Sequence, residues 1–431
     1  MAESKSSGKT KDLVALTSVP LIMVLGNSML IPVLPQIKSA LKISQFQVSL
    51  LITLFSLTAG IVIPLAGFLS DRISRKAVII PSVLLYGAGG LLAGFAALWV
   101  DKPYALIIAG RALQGLGAAG TAPIAMALLG DLFRGGAQSR ALGLSESANG
   151  MGKVISPIAG SLLGLIAWWA PFFAFPILCA VSALMVWLMV KEPVQKEKSP
   201  SLREYVRALG DIFKREGRWL LCAFFAGSAG LFVLFGILFY LSEVLESQYQ
   251  IDGVWKGGVL AIPLLGMVVT SFVTGSLIRK NGKLMKFLII TGLFALSGSL
   301  ALAILFKNLY LFIGLITLGS IGTGAVLPCL NSFITGAVRK AERGMITSIY
   351  GSVRFLGVAI GPPVFSWLMD ISRTVMLASV ASLVAFAALL GLFLIHPAKN
   401  GGQTEKNAKR KKMPFFPSHL IQKRARGRVR T

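Results

Sequence analysis

The sequence predicts an all-α membrane protein of twelve transmembrane helices, arranged as two pseudo-symmetric six-helix bundles. Three observations carry that expectation. Of the 431 residues, 55% are hydrophobic and only 14% charged, and mean hydropathy is +0.75, outside the balance of a soluble domain. Crossing a bilayer takes about 20 mostly apolar residues, and twelve such runs occur, at 13–34, 46–69, 77–98, 104–128, 141–166, 170–190, 219–242, 257–278, 284–305, 309–332, 345–368 and 374–395. They are expected as helices, because unpaired backbone groups are not tolerated in hydrocarbon and the runs are too long for tilted barrel strands. The third observation is repetition. Gly67-Phe-Leu-Ser-Asp71-Arg72-Ile-Ser-Arg75-Lys76 returns 208 residues later as Gly275-Ser-Leu-Ile-Arg279-Lys280-Asn-Gly282-Lys283. Pro123 and Pro328 are 205 apart, as are Gly152-Lys-Val-Ile-Ser156-Pro157 and Gly357-Val-Ala-Ile-Gly361-Pro362. A duplicated six-helix unit explains all three spacings.

Domain boundaries follow from the polar stretches. Residues 1–190 form an N-terminal bundle, 191–218 a linker, 219–396 a C-terminal bundle and 397–431 a basic, disordered tail. Of the 43 Lys and Arg, 34 fall on the side of the N-terminus, counting Lys286 at the near end of its run, 6 in the loops of the other side and 3 deeper within spans. That bias predicts a cell-membrane protein with both termini in the cytoplasm. Residues 1–11 are too polar, and the next run too long, for a cleaved signal. The net charge of +26 points to anionic lipid of the inner leaflet rather than to nucleic acid. Cys179, Cys222 and Cys329 lie inside apolar runs without metal spacing, so no disulfide or metal site is expected.

In the linker, Leu202, Tyr205, Val206, Leu209, Ile212 and Phe213 recur at helical spacing opposite Arg203, Arg207, Lys214 and Arg215. This predicts an amphipathic helix on the membrane surface, started by a capping box of Ser201 and Glu204.

The candidate functional residues follow in chain order. Span 1 ends in Asn27-Ser-Met-Leu-Ile-Pro32-Val-Leu-Pro35-Gln36, where the prolines bend the helix and free carbonyls. In the loop after span 2, Gly67 lets the helix end pack closely, Asp71 can face a helix N-terminus, and Arg72 and Arg75 can pair across the inner surface. Gly275 and Lys283 hold the matching places in the second copy, but Arg279 replaces the acid there. Span 4 places Arg111, Gln114 and Gly115 on one face. An arginine in a span is costly enough to require a cavity or a partner, so coupling, substrate binding and a structural ion pair all stand as its roles. Span 5 carries Glu146, Asn149 and Lys153 on one face, beside the small-residue series Gly143, Gly152, Ser156, Pro157 and Gly160. Glu146 and Lys153 are about 10.5 Å apart along the axis, so Asn149 or water can bridge them. On span 11, Arg354 lies at similar depth with Tyr350, Gly357 and Gly361 close to it around the helix. Phe235 and Tyr240 on span 7 are candidates for an apolar pocket, and Glu243 and Glu246 end that span.

Taken in order, these motifs resemble the major facilitator superfamily over nearly the whole chain. Gly67, Leu69, Asp71, Arg72, Arg75 and Lys76 are similar to its loop between spans 2 and 3, with Ser74 where a second glycine is usual. Arg111-Ala-Leu-Gln114-Gly115 is similar to its span 4 motif, whose arginine is linked to proton coupling. Gly143, Gly152, Ser156-Pro157 and Gly160 resemble the antiporter motif of drug and proton exchangers, with Ser156 and Ser161 where glycines are expected. The resemblance implies a monomeric exporter of hydrophobic or amphiphilic small molecules, working by alternating access and driven by a proton gradient without a cofactor. Both histidines, His396 and His419, lie at or beyond the last span, so coupling falls to a carboxylate or a perturbed lysine. Glu146 leads, against a reading in which it pairs with inner-surface cations. Charge leaves the substrate open. Arg111, Lys153 and Arg354 outnumber the one clearly intramembrane acid, Glu146, which suits a neutral or anionic solute or a lipid-linked headgroup better than a lipophilic cation. A non-transporting membrane sensor is the alternative from another class. An enzyme is not expected, since no nucleophile with a base is recognisable, and the sequence lacks a GxxxxGK[ST] phosphate loop.

Overall fold

A computed structural model of the chain describes residues 2–134, 136–192, 202–278, 281–337 and 343–395. The tail, the linker start with Ser201, and Arg279 and Lys280 of the second loop copy lie outside these residues. Every regular element among them is helical. The first span is composite: α1 (Ala2–Ser28) gives way to a 3-10 turn (Ile31–Val33) and then α2 (Leu34–Leu41). The break falls where Pro32 and Pro35 remove backbone donors. Then come α3 (Gln45–Arg72) and α4 (Arg75–Trp99), followed by α5 (Tyr104–Ala119) and α6 (Ala122–Leu132), which share the fourth span. The half closes with α7 (Gly136–Ile166) and α8 (Ala170–Met189). The second half comprises α9 (Leu202–Ser247), α10 (Gly253–Leu277), α11 (Gly282–Leu305), α12 (Leu309–Ala337), α13 (Arg343–Ile371) and α14 (Arg373–Leu394).

Eleven spans among the described residues are long and apolar enough to cross a membrane. The twelfth crossing is α7. Its 31 residues rise about 46 Å at 1.5 Å each, more than the roughly 30 Å hydrocarbon core needs. It falls short only in hydropathy, because it carries Glu146, Asn149 and Lys153. Polar composition here marks function within a span, not the lack of one.

Two sequence expectations are corrected. The linker helix is not a separate surface element, because α9 runs unbroken for 46 residues into the seventh span. No proline interrupts 202–247, and Ile212 is fully buried, so the stripe expected to face lipid in part serves the core. The two matched prolines also act differently. Pro123 follows a break at Gly120 and Thr121 that divides the fourth span, whereas Pro328 sits inside the continuous α12.

Serine and asparagine start several helices. The Ser44 hydroxyl accepts from the Gln47 amide at 3.1 Å and the Gln47 side chain accepts from the Ser44 amide at 2.9 Å, a capping box on α3. Ser74, Asn281 and Ser372 cap α4, α11 and α14 in the same sense.

Side-chain-free contacts set the helix spacing, as close approach in membranes requires. A Cβ on Gly160 of α7 would lie 1.9 Å from the Met29 carbonyl oxygen, and one on Gly361 of α13 would lie 2.6 Å from the Phe232 carbonyl oxygen. The fifth helix of each half is thus pressed on the first by the same device, and the repeated pair Gly152 and Gly357 takes part in it, a Cβ there lying 3.1 Å from the Leu21 carbonyl oxygen and 2.4 Å from the Ser228 carbonyl oxygen respectively. The halves meet along two lines, α3 against α13 and α7 against α10. A Cβ on Gly143, by contrast, would meet nothing within 4 Å. Gly160→Ala should therefore force α7 off the Met29 backbone and cost about 1–3 kcal/mol, read as a lower melting temperature in detergent. Gly143→Ala should melt as the wild type does.

Candidate functional site

Arg111 is fully buried, and its fork is spent on the N-terminal half. Its Nε donates to the Leu51 carbonyl at 2.8 Å, and Nη1 to the Gln114 side-chain oxygen at 2.7 Å and the Gly26 carbonyl at 3.3 Å. Nη2 reaches the Asn27 side-chain oxygen at 3.4 Å, and the guanidinium lies 4.6 Å from the Phe55 ring centroid. The structure therefore brings Asn27, Arg111 and Gln114 together, tying spans 1, 2 and 4. No carboxylate among the described residues pairs with Arg111. Neutral acceptors and an aromatic face supply its counter-environment.

A second polar locus lies on α7 and α13. Lys153 is half-buried and Glu146 exposed, with Asn149 half-buried between them. Lys153 is influenced by the opposite charge of Glu146 and by the like charge of Arg354. Among the described residues no hydrogen bond ties down Lys153, and Arg354 keeps a buried Nε without a partner. The Arg354 guanidinium sits 5.4 Å from the ring centroid of Tyr350, which is itself buried. Lys153 and Arg354 thus stand on the fifth helix of each half, α7 and α13, each of which also packs on a helix of the other half. The small residues of α7 support this placement. Ser156 returns its hydroxyl to the Gly152 carbonyl at 2.6 Å, and the Pro157 carbonyl lies where Gly257 of α10 leaves room.

The end of the bundle opposite the termini is closed by contacts that sequence reasoning missed. Lys38 Nζ bonds Glu243 Oε1 at 2.6 Å across the two halves. Beside it, the Ser242 hydroxyl donates to the Ile31 carbonyl at 2.8 Å, one of the carbonyls freed by the proline break. Glu246 pairs with the fully buried Lys256, joining α9 to α10. Only complementary charge near the ends of two helices distant in sequence, α2 and α9, could have signalled the Lys38 pair.

At the basic end, Gly67 meets the other half directly, since a Cβ there would lie 2.9 Å from the Ser348 hydroxyl. Arg75 binds Asp131 at 2.9 Å and Asp71 at 3.4 Å, bracing the loop against the end of α6. The acid seated on the α4 N-terminus is Glu192, which the sequence reading did not single out. Its carboxylate accepts from the amides of Arg75 at 2.8 Å and Lys76 at 2.9 Å and from the Ser74 hydroxyl. Lys76 answers by donating to the carbonyls of Trp187 and Val190, both at 2.7 Å, so α4 and α8 cap each other. Arg72 stacks on Phe68 at 4.9 Å. In the second half, Lys286 donates to the Leu392 carbonyl at 2.8 Å, while a Cβ on Gly275 would meet nothing and Lys283 is exposed.

The span 7 aromatics fall elsewhere than between the halves' cations. Phe235 is buried in the apolar core. Tyr240 packs edge-on to Phe312 at 5.8 Å and lines a shallow cleft with Tyr249, Lys307 and Arg373.

Twelve crossings in two matched halves, with charged side chains inside the spans, point to a membrane transporter. The family model of the Major Facilitator Superfamily matches residues 16–305 and 285–429, and the chain belongs to that superfamily. It is 46% identical over 387 residues to the Bacillibactin exporter of Bacillus subtilis (strain 168), covering 89% of this chain and 95% of the relative. It is 28% identical over 382 residues to Multidrug efflux protein YfmO of the same organism, covering 86% and 90%. In fold it is similar to the crystal structure of the human organic anion transporter MFSD10 (TETRAN), with TM-score 0.69, 18% identity, and coverage of 89% of this chain and 99% of that one. The protein is a multi-pass membrane transporter and not an enzyme.

Two outcomes follow. Arg111→Lys cannot reproduce a four-point fork, and each lost charged bond costs about 1.5–3 kcal/mol, so folded yield and melting temperature should fall sharply in detergent extracts. For the closure opposite the termini, single Lys38→Met and Glu243→Gln changes and their combination should give a coupling of about 1 kcal/mol in a double-mutant cycle of thermal stability. A sum of independent effects would show that the pair does not hold the halves together.

Proposed function

We propose that the protein is a proton-coupled antiporter that exports an amphiphilic small molecule across the cell membrane by alternating access. The observation that carries this reading is the half-buried Lys153 inside the fifth span, with Glu146 about two turns away on the same face of α7. A carboxylate that shares a lysine's field can exchange a proton when a ligand changes that field. Glu146 is assigned the proton, and Lys153 the link between proton and substrate. The relatives support export as the direction, one being named for bacillibactin and another for multidrug efflux. A siderophore of the bacillibactin kind is the first substrate to try.

The mechanical parts are those described above. Lys38 with Glu243 and Ser242 with Ile31 close the external side, and Gly67 against Ser348 is the approach at the cytoplasmic side. Rocking opens one set as the other forms, with the substrate between the halves. Both termini lie in the cytoplasm by the charge bias, the basic end meets anionic lipid, and a monomer with no cofactor suffices.

The test is proton movement in proteoliposomes carrying an internal pH dye under an imposed gradient. Adding bacillibactin should trigger proton flux in the wild type, and Glu146→Gln should reduce it at least roughly tenfold, within the contribution of a positioned acid or base. Equal flux in the variant would remove Glu146 from the proton path. Absence of substrate-triggered flux in folded, oriented wild type would remove antiport.

A further inference from the structure

We infer that the cleft at the end of the second half opposite the termini binds the phosphate group of a membrane lipid, through Arg373, Lys307 and the Tyr240 hydroxyl. The inference is independent of proton coupling and of substrate, and uses only the helices that line the cleft.

Three helices meet there. The last turns of α9 bring Tyr240 and Val244, with Gln248 and Tyr249 just beyond. Leu309 and Phe312 come from the first turn of α12, Lys307 precedes it, and Arg373 opens α14.

Polar groups without partners point to a ligand. Tyr240 is only 7% exposed, yet it lines the cleft and its hydroxyl bonds nothing among the described residues, an unfavourable arrangement for a covered phenol. Arg373 sends Nη2 to the carbonyls of Ala303 at 3.0 Å and Phe306 at 2.7 Å, and its guanidinium lies 4.9 Å from the Phe312 ring centroid. Its Nε is buried with no partner. The Lys307 side chain is exposed, and the Lys307 carbonyl accepts from the Tyr249 hydroxyl at 3.4 Å.

Charge at the cleft is one-sided. No carboxylate lines it, and the acids on the same stretch of α9 are committed elsewhere, Glu243 to Lys38 and Glu246 to Lys256. Both cations stand at helix starts, where the positive end of the helix dipole disfavours them. An anion answers the cations and the helix ends together.

The surroundings favour a lipid over a soluble anion. Leu305 and Tyr310, which flank Lys307 in the chain, are exposed, as side chains facing acyl chains are, and an aromatic at the end of a span marks the headgroup level. The cleft is shallow, so it takes the phosphate while the acyl chains lie outside, against α12. Phosphate presents enough anionic oxygens for a guanidinium, an ammonium and a hydroxyl at once. All three donors belong to the second half, so the lipid fastens α9, α12 and α14 to one another without bridging the halves.

The test counts lipids on the full chain in detergent by native mass spectrometry, using phosphatidylglycerol and diacylglycerol of the same acyl chains. The wild type should hold one phosphatidylglycerol that diacylglycerol does not replace. Lys307→Met should weaken that lipid about fivefold, the contribution of one cation near a headgroup. Tyr240→Phe should weaken it about threefold, that of one hydrogen bond, while keeping the ring on Phe312. Arg373→Met also removes the bonds to Ala303 and Phe306, so the first two variants carry the test. Lys102→Met, at an exposed loop position of the first half on the same side, should bind as the wild type does. Equal binding of the two lipids, or the same loss in Lys102→Met as in Lys307→Met, would overturn the site. Inorganic phosphate is the last probe: failure to displace the lipid supports the assignment, and displacement at the lipid's own affinity overturns it in favour of a soluble anion.

Discussion

Gly160 lets the backbone of α7 reach the Met29 carbonyl, and several features of the bundle hang from that approach. Met29 lies in the stretch where the first span changes from α1 to a 3-10 turn. Holding that stretch fixes the direction in which Ile31 presents its carbonyl, which receives the Ser242 hydroxyl of the other half. The same turn projects α2 and its Lys38 toward Glu243. A missing side chain on one helix thus sets a contact between halves two turns of chain away. The second half repeats the device with Gly361 against Phe232, but its first helix runs straight. Only one half therefore has a broken end free to reach its partner.

Charge in the interior divides along a related line. Arginine offers five donors in a rigid plane, and Arg111 finds acceptors for four of them because spans 1, 2 and 4 bring carbonyls and amide oxygens close together. Its charge is absorbed by the structure. Lys153 and Arg354 lie on α7 and α13, the helices along which each half meets the other, and among the described residues neither is held by an acceptor set like that of Arg111. Permanent acceptors drawn from both halves would fasten such a boundary, so sparse pairing there suits the alternating access proposed above.

Much of this was legible in the sequence, and the parts that were not share a cause. The spans were readable because hydrocarbon thickness imposes a length on each, and the two halves because glycine and proline at fixed spacing leave a trace that survives substitution. Asn27, Arg111 and Gln114 were separately visible as polar residues in apolar runs, though not as one cluster. Lys38 with Glu243, Glu192 on the α4 N-terminus and Lys76 on the end of α8 were not readable. Each joins residues more than a hundred positions apart, and an acid after a span looks like any other loop acid. The unbroken α9 was missed for the opposite reason. A local polar stripe suggested a separate helix, while continuity depends on the absence of any proline between 202 and 247. Tyr240 was misplaced because helical spacing gives a face but not the depth at which a neighbour covers it.

The two halves also differ at the basic end, and the difference bears on which one moves relative to what. In the first half, α4 and α8 cap each other through Glu192 and Lys76, while Arg75 ties the loop to α6. A carboxylate on a helix N-terminus contributes about 0.3–1 kcal/mol, so this set is worth more than the lone Lys286 contact among the described residues of the second half. The interior cations follow a similar division: the first half holds Arg111 with four oxygen acceptors from spans 1, 2 and 4, and the second holds Arg354 against the Tyr350 ring with a buried nitrogen unspent. Under the transport reading proposed above, the more densely tied first half carries Glu146 and Lys153, and the second carries Arg354.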